Sequence, residues 1–94
     1  MEPYTIVYQH HAVERMAQRR IREEEVECAL SDGETLREYP DDVPFPSKLI
    51  LYWSGSRPLH VVVAMNHIEK TKIIITAYEP DSQLWEDDFR RKRR

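Results

Sequence analysis

Leu59-His60-Val61-Val62-Val63-Ala64, followed after a short polar interval by Lys72-Ile73-Ile74-Ile75-Thr76-Ala77-Tyr78, sets the expected architecture. Both runs are β-branched and apolar on both faces, which predicts central strands covered on each side. The interval at residues 66–70 is too short for a crossover, so the two pair as an antiparallel hairpin. Upstream, Leu49-Ile50-Leu51-Tyr52-Trp53 reads as another strand, turned by Ser54-Gly55-Ser56 into the central run. Residues 35–39 make a short strand before a loop that Pro40, Pro44 and Pro46 keep out of any ladder. Residues 4–8 alternate weakly and read as an extended lead-in.

Between that lead-in and the strands the apolar period becomes helical. Ala12, Val13, Met16 and Ala17 form one stripe from His10 onward; Val26, Ala29 and Leu30 form a second after Ile21. Glu23, Glu24 and Glu25 occupy the second helix's first turn, where negative charge suits the dipole, and Ser31-Asp32-Gly33 stops it, with Gly33 as a left-handed cap. Past the sheet, Asp81 or Ser82 serves as an N-cap and Leu84, Trp85 and Phe89 share a face. Glu86 with Arg90, Asp87 with Arg91 and Asp88 with Lys92 add i,i+4 pairs of about 0.3 kcal/mol each, predicting a short C-terminal helix. The expected fold is α+β, one domain over residues 1–94: two N-terminal helices, a four-stranded antiparallel meander and a short C-terminal helix.

A composition 40% hydrophobic and 33% charged is that of a globular chain. Cys28 is the sole cysteine, so neither an intrachain disulfide nor a thiolate zinc cluster is expected. No apolar run approaches the ~20 residues that span a bilayer, so the expectation is a cytoplasmic protein with no membrane partner. Net charge is −3 but uneven: acids crowd residues 23–42, whereas Arg15, Arg19, Arg20 and Arg22 and then Arg90, Arg91, Lys92, Arg93 and Arg94 cluster elsewhere. Such a field binds an anion on one side and repels it on the other; a solvated acidic helix and a basic tail explain the pattern equally well.

Spacings of four place His11, Arg15 and Arg19 along one side of the first helix, beside its apolar stripe. Guanidinium forks there suit a phosphate in a groove; the alternative is a pair of snorkelling arginines bridged to the next helix's glutamates. His60 shares a strand face with Val62 and Ala64. A hairpin pairing Ala64 with Lys72 sets it opposite Thr76, with Tyr78 a step further on the same face. Desolvated beside hydroxyls, such a histidine is either a general base or a hydrogen-bonded core residue. Arg57 and Lys48 flank the central hairpin as further cations for RNA, and Trp53 and Tyr78 are aromatics for stacking or for rim packing. His10, His11, His60, His67 and Cys28 have no metal-ligand spacing, and two glycines leave no phosphate loop, so neither metal nor cofactor is expected.

His11-Ala12-Val13-Glu14-Arg15-Met16 with Arg19 and Ile21, Glu24-Glu25-Val26, Pro58-Leu59-His60-Val61-Val62-Val63, and Ile74-Ile75-Thr76-Ala77-Tyr78-Glu79-Pro80-Asp81 with Trp85 together resemble a bacterial family known as domain of unknown function 4258. More distantly, that family resembles the RelE- and MqsR-type ribonuclease toxins of type II toxin–antitoxin pairs. The resemblance implies a metal-independent endoribonuclease acting on single-stranded RNA and restrained by a cognate antitoxin protein. The matching positions are His11, Arg15, Arg19, His60, Thr76 and Tyr78. His60 would take a ribose 2′-hydroxyl proton, Arg15 and Arg19 would stabilise phosphate charge, Thr76 or Tyr78 would orient base or phosphate, and His11 would be the general acid. The alternative is a non-catalytic protein-binding module or degenerate toxin, with His60 and Thr76 a satisfied core pair. A sequence-specific DNA binder is disfavoured by the acids crowding the second helix. Where such proteins tend to have Gly and then Ser between the helices, this chain has Arg20 and Arg22. Arg20 then carries a C-cap conformation at a cost of about 1 kcal/mol, and Arg22 cannot cap as serine does.

Overall fold

The β-branched runs do form the middle of the sheet, but the sheet is larger and less regular than a meander. The computed structural model describes residues 4–94. Its elements are β1 (Thr5–Tyr8), α1 (His10–Gln18), α2 (Glu23–Asp32), β2 (Glu34–Tyr39), β3 (Ser47–Ser54), β4 (Arg57–Asn66) and β5 (Thr71–Tyr78). The five strands lie in the order β1-β5-β4-β3-β2. β1 runs parallel to β5, and the other neighbours are antiparallel.

Two parts of the expected fold are overturned. The lead-in is a strand: Ile6 and Tyr8 turn inward while Thr5 and Val7 stay exposed, so its weak alternation is that of a short edge strand. The sheet is therefore five-stranded and mixed, not four-stranded and antiparallel. The C-terminal helix is also absent among the described residues. Residues 81–94 form turns closed by a bridge between Trp85 and Lys92. Aspartates compete with helix formation here, since Asp81 Oδ1 accepts from Gln83 N–H at 2.8 Å and Asp88 Oδ1 from Arg90 N–H at 3.0 Å. The expected i,i+4 pairs do not form; Arg93 reaches Asp87, and Arg90 reaches Asp88 and, across the chain, Glu34.

The hairpin register differs as well. Ala64 pairs with Ile73, and a bulge at Ile75 then sets Val62 opposite Thr76 and His60 opposite Tyr78. A shorter turn moves the register by one residue and the bulge by one more. Two shifts restore the original parity, which keeps His60, Thr76 and Tyr78 on one face.

The helices cover the other face. Ala12, Met16, Ile21, Val26 and Ala29 pack on Ile50, Leu59, Val61, Val63, Ile74 and Ala77. The stripe of α1 is narrower than its period predicts, for Val13 is 51% exposed and Ala17 faces solvent. Arg20 does take the left-handed conformation, at φ 57. Arg57 holds that turn, donating to Arg20 O at 2.9 Å and Arg19 O at 2.7 Å. At the start of α2 the Glu25 carboxylate reaches back in place of a serine cap, accepting Arg22 N–H at 2.9 Å. Gly33 ends α2 in extended geometry, at φ −74, contrary to the expected left-handed cap. Glycine is required there by contact, because a Cβ would collide with the Ile50 side chain and Ala29 O.

Candidate functional site

The face away from the helices carries the side chains of His60, Val62, Thr76 and Tyr78 from the two central strands, Leu49, Leu51 and Trp53 from β3, and Arg37 and Tyr39 from β2. Residues 81–94 lie across it as a strap. Between strap and sheet is an open cleft of about 540 Å³, lined by Arg19, Tyr78, Glu79, Asp81, Leu84, Trp85 and Lys92. A smaller hollow of about 190 Å³ shares Tyr78, Trp85 and Lys92 and adds Arg37, Tyr39, Leu49 and Val62.

Arg19 comes to this cleft from the last turn of the first helical segment. Its guanidinium donates to Ala77 O at 2.9 Å and Thr76 Oγ1 at 3.5 Å, which fixes the cation against β5. Tyr78 lies on the same wall. Burial, and to a lesser degree the neighbouring Tyr39, raises its phenol above the ordinary value, with Arg19 opposing. The hydroxyl is therefore neutral near pH 7 and remains able to donate.

His60 is behind Tyr78, with no exposed surface. One ring nitrogen, Nε2, is 2.8 Å from Phe89 O, and a carbonyl can only accept, so Nε2 carries the proton. Nδ1 is then the free acceptor, 3.4 Å from Tyr78 Oη. The Trp85 ring stands edge-on to the imidazole at 4.5 Å, and that of Tyr78 at 5.4 Å. Burial holds the imidazole below its ordinary value, partly offset by the Phe89 carbonyl. A neutral histidine aimed at a phenol can take a proton from it, but nothing in the cleft touches the imidazole directly.

The remaining candidates separate. Arg57 is occupied at the α1–α2 turn and in ion pairs with Glu25 and Glu79, at 3.7 and 3.4 Å. Lys48 pairs with Val63 and Glu38 on the helix-side face and borders a different hollow, with Met65 and His67. Trp53 is on the strap side, 43% exposed, with the Phe89 ring edge-on at 5.9 Å. His11 and Arg15 are exposed on α1, without a hydrogen bond or ion pair to the other candidates among the described residues. The structure thus unites Arg19, Thr76, Tyr78 and His60, with Trp53 at the margin. Sequence reasoning missed Arg37, Tyr39 and Lys92. The first two were detectable, since alternation on a short strand puts both on one face; Lys92 carried no such signal once the tail was read as helix.

Glu25 shows what a structural ion cluster looks like by comparison. Burial acts to raise its carboxyl, but Arg22 N–H, the Ser54 hydroxyl at 2.6 Å and the guanidinium groups of Arg57 and Arg22 outweigh it and hold the group below its ordinary value. Among the described residues no group of three or more His, Cys, Asp or Glu side chains is arranged to hold a metal ion, and no helix is long and apolar enough to cross a membrane.

Fold and site together define an α+β domain with a helix pair on one face of a mixed sheet and, on the other, a cleft that mixes cations, acids and aromatics. The chain belongs to the DUF4258 family, a domain of unknown function, whose model matches residues 8–79. No curated protein and no solved structure matches the chain. The matched segment holds His11, Arg15, Arg19, His60, Thr76 and Tyr78 and ends at Glu79, before the strap begins.

Proposed function

We propose that this protein is the toxin of a type II toxin–antitoxin pair, of the RelE and MqsR kind, and a metal-independent endoribonuclease that takes single-stranded RNA in the Arg19–Tyr78 cleft. The observation that carries this reading is the Arg19 guanidinium, pinned to Ala77 O at 2.9 Å beside a phenol backed by a neutral histidine. A backbone phosphate in the cleft would meet a fixed cation that needs no reorganisation as charge builds on the non-bridging oxygens. The adjacent ribose 2′-hydroxyl would give its proton to Tyr78 Oη while the Tyr78 proton passes to His60 Nδ1. The 2′-oxygen then attacks phosphorus, and the 5′-oxygen leaves and is protonated by solvent. His60 works through Tyr78 and is a positioning residue. Unstacked bases would lie against Tyr39 or Trp53. A cognate antitoxin protein would be the restraining partner.

The test is expression of the chain alone in a bacterium, with growth and mRNA integrity followed, and purified protein on a single-stranded oligoribonucleotide in excess EDTA. Cleavage is expected, with Tyr78→Phe reducing it about 100-fold or more, the scale of a lost proton-transfer group. A second reading is favoured by one feature: a fully buried His60 bonded to Phe89 O is also what a satisfied core histidine looks like. Normal growth with intact RNA would replace the ribonuclease by a protein-binding module.

A further inference from the structure

Residues 81–94 cover the sheet without joining its ladder. Their backbone bonds close on themselves: Glu86 N–H to Arg91 O at 2.8 Å, Arg93 N–H to Leu84 O at 2.8 Å, and Phe89 N–H to Glu86 O at 2.8 Å. The links to the sheet are few and made by side chains or one carbonyl. Trp85 is set on His60, the Phe89 ring meets Trp53, Phe89 O accepts from His60, and Arg90 forks onto Glu34 at 2.9 and 3.1 Å. Such a unit can lift away with its internal bonds intact. Phe89 also sits at φ 59, where a bulky side chain costs on the order of 1 kcal/mol or more. That strain is held in the residue whose carbonyl stoppers His60.

What the strap hides is chemically distinct from what the helices hide. Beneath it are the buried His60, Leu49 and Leu51, and beside it the half-buried Tyr78, Val62 and Arg19, the exposed Trp53 and Arg37, and one acid, Glu79. Cations interleaved with stacking surfaces match a single strand of RNA, whose charge repeats along the backbone and whose bases offer flat faces. The family-matched segment supplies all of these groups and stops short of the strap.

We propose that residues 81–94 are a releasable cover on the RNA site: seated, they seal His60 from water and confine RNA to the open Arg19–Tyr78 cleft; lifted, they let a single strand run on along Arg37 and Trp53. This rests on the RNA reading above and adds its regulation.

The test uses the full chain and a short fluorescein-labelled single-stranded oligoribonucleotide, with hydrogen exchange and fluorescence anisotropy read on the same samples. Trp85→Ala removes the anchor over His60, and Glu34→Gln removes the partner of Arg90 without removing a cation. Glu38→Gln makes the same charge change on β2, away from the strap. The strap amides are expected to lose protection in W85A and E34Q while β3, β4 and β5 keep theirs. RNA affinity should rise about tenfold in W85A and about threefold in E34Q as the competent population grows, with E38Q close to wild type. A strap that opens without any gain in affinity over E38Q would overturn the cover and leave the ribonuclease intact. Protection lost across the whole sheet in W85A, or retained in the strap of both variants, would make the segment part of the core and overturn it too. Absence of RNA binding by every form, wild type included, would remove the ribonuclease reading itself.

Discussion

The two faces of the sheet are made from the same strands and held by different physics. On the helix side Leu59, Val61, Val63, Ile74 and Ala77 have no exposed surface and meet hydrocarbon from α1 and α2. Such packing is non-directional and scales with the area removed from water. On the strap side His60 meets the Phe89 carbonyl and the rings of Tyr78 and Trp85, the buried hydrocarbon is a smaller set of Trp85, Leu49 and Leu51, and an exposed ion pair ties the strap to β2. The polar and ring-edge contacts are each directional and individually weak. The difference assigns stability to one face and access to the other.

The largest effect should come from breaking the helix side. Leu59→Ala deletes a fully buried side chain and is expected to cost about 2–5 kcal/mol in urea denaturation. Phe89→Ala on the strap should move the global midpoint far less, because a strap that opens below global unfolding carries little of the total. Equal losses would show that the two faces form one cooperative core.

Gly33→Ala is next. The new methyl group has to enter between the end of α2 and β3, against Ile50 and the Ala29 carbonyl. Overpacking of that kind costs about 1–3 kcal/mol. Gly55→Ala is the control that sharpens it: its φ of +64 penalises a side chain, but the space around it is open. A loss at Gly33 no larger than at Gly55 would show that the end of α2 and β3 give way to the methyl group.

Acid should separate the faces in sequence. His60 is held below its ordinary value of 6.5, so the unfolded chain takes up this proton first. The stability linked to it is complete above pH 6.5 and is lost as pH falls through the folded value. Glu25 is held below 4.5, so its contribution is complete above that pH and lost on further acidification. Urea midpoints against pH should therefore fall in two stages. His60→Gln is expected to remove the upper stage and Glu25→Gln the lower; an upper stage that survives His60→Gln would show that another group titrates there.

The helix side was legible in the sequence because hydrocarbon periodicity encodes it. Val26 and Ala29 read as core and are core, and the ends of α1 and α2 fall where the residue pattern puts them. Gly33 read as a stop signal, yet the close approach that requires glycine there is tertiary and invisible locally. On the strap side His60 and Tyr78 were recognisable as a pair on one face, although the bulge that sets them opposite each other leaves no mark among three consecutive isoleucines. The tail misled for a definite reason. Charges spaced by four support a helix only if nothing better is in reach, and Arg90 had Glu34, distant in sequence, within reach. Apolar periodicity reports what is buried against regular elements; it does not report a loop folding back through single polar contacts.

The smallest expected effect sharpens the comparison from the helix side. Tyr8 borders the groove lined by Val13, Met16, Ala17 and Ile21 and, at its far side, by Arg22, Glu23 and Glu24, and its hydroxyl oxygen is buried without a hydrogen-bond partner among the described residues. Burial, then Glu27, Glu23 and Glu24, pushes the phenol up to about 12, so ionisation offers it no relief. An unpaired buried hydroxyl destabilises the state that buries it, and its removal with the ring retained is close to neutral or favourable. Tyr8→Phe should therefore stabilise the protein by about 0.5–1 kcal/mol, read as a higher urea midpoint with an unchanged slope. On the strap side Tyr78→Phe removes a hydroxyl that faces His60 Nδ1, and it should give no such gain. The same substitution thus has opposite signs on the two faces if one is hydrocarbon packing and the other polar machinery. A loss at Tyr8 as large as at Tyr78 would mean that the first hydroxyl is paired too, and that the helix side is not the purely apolar partner in this contrast.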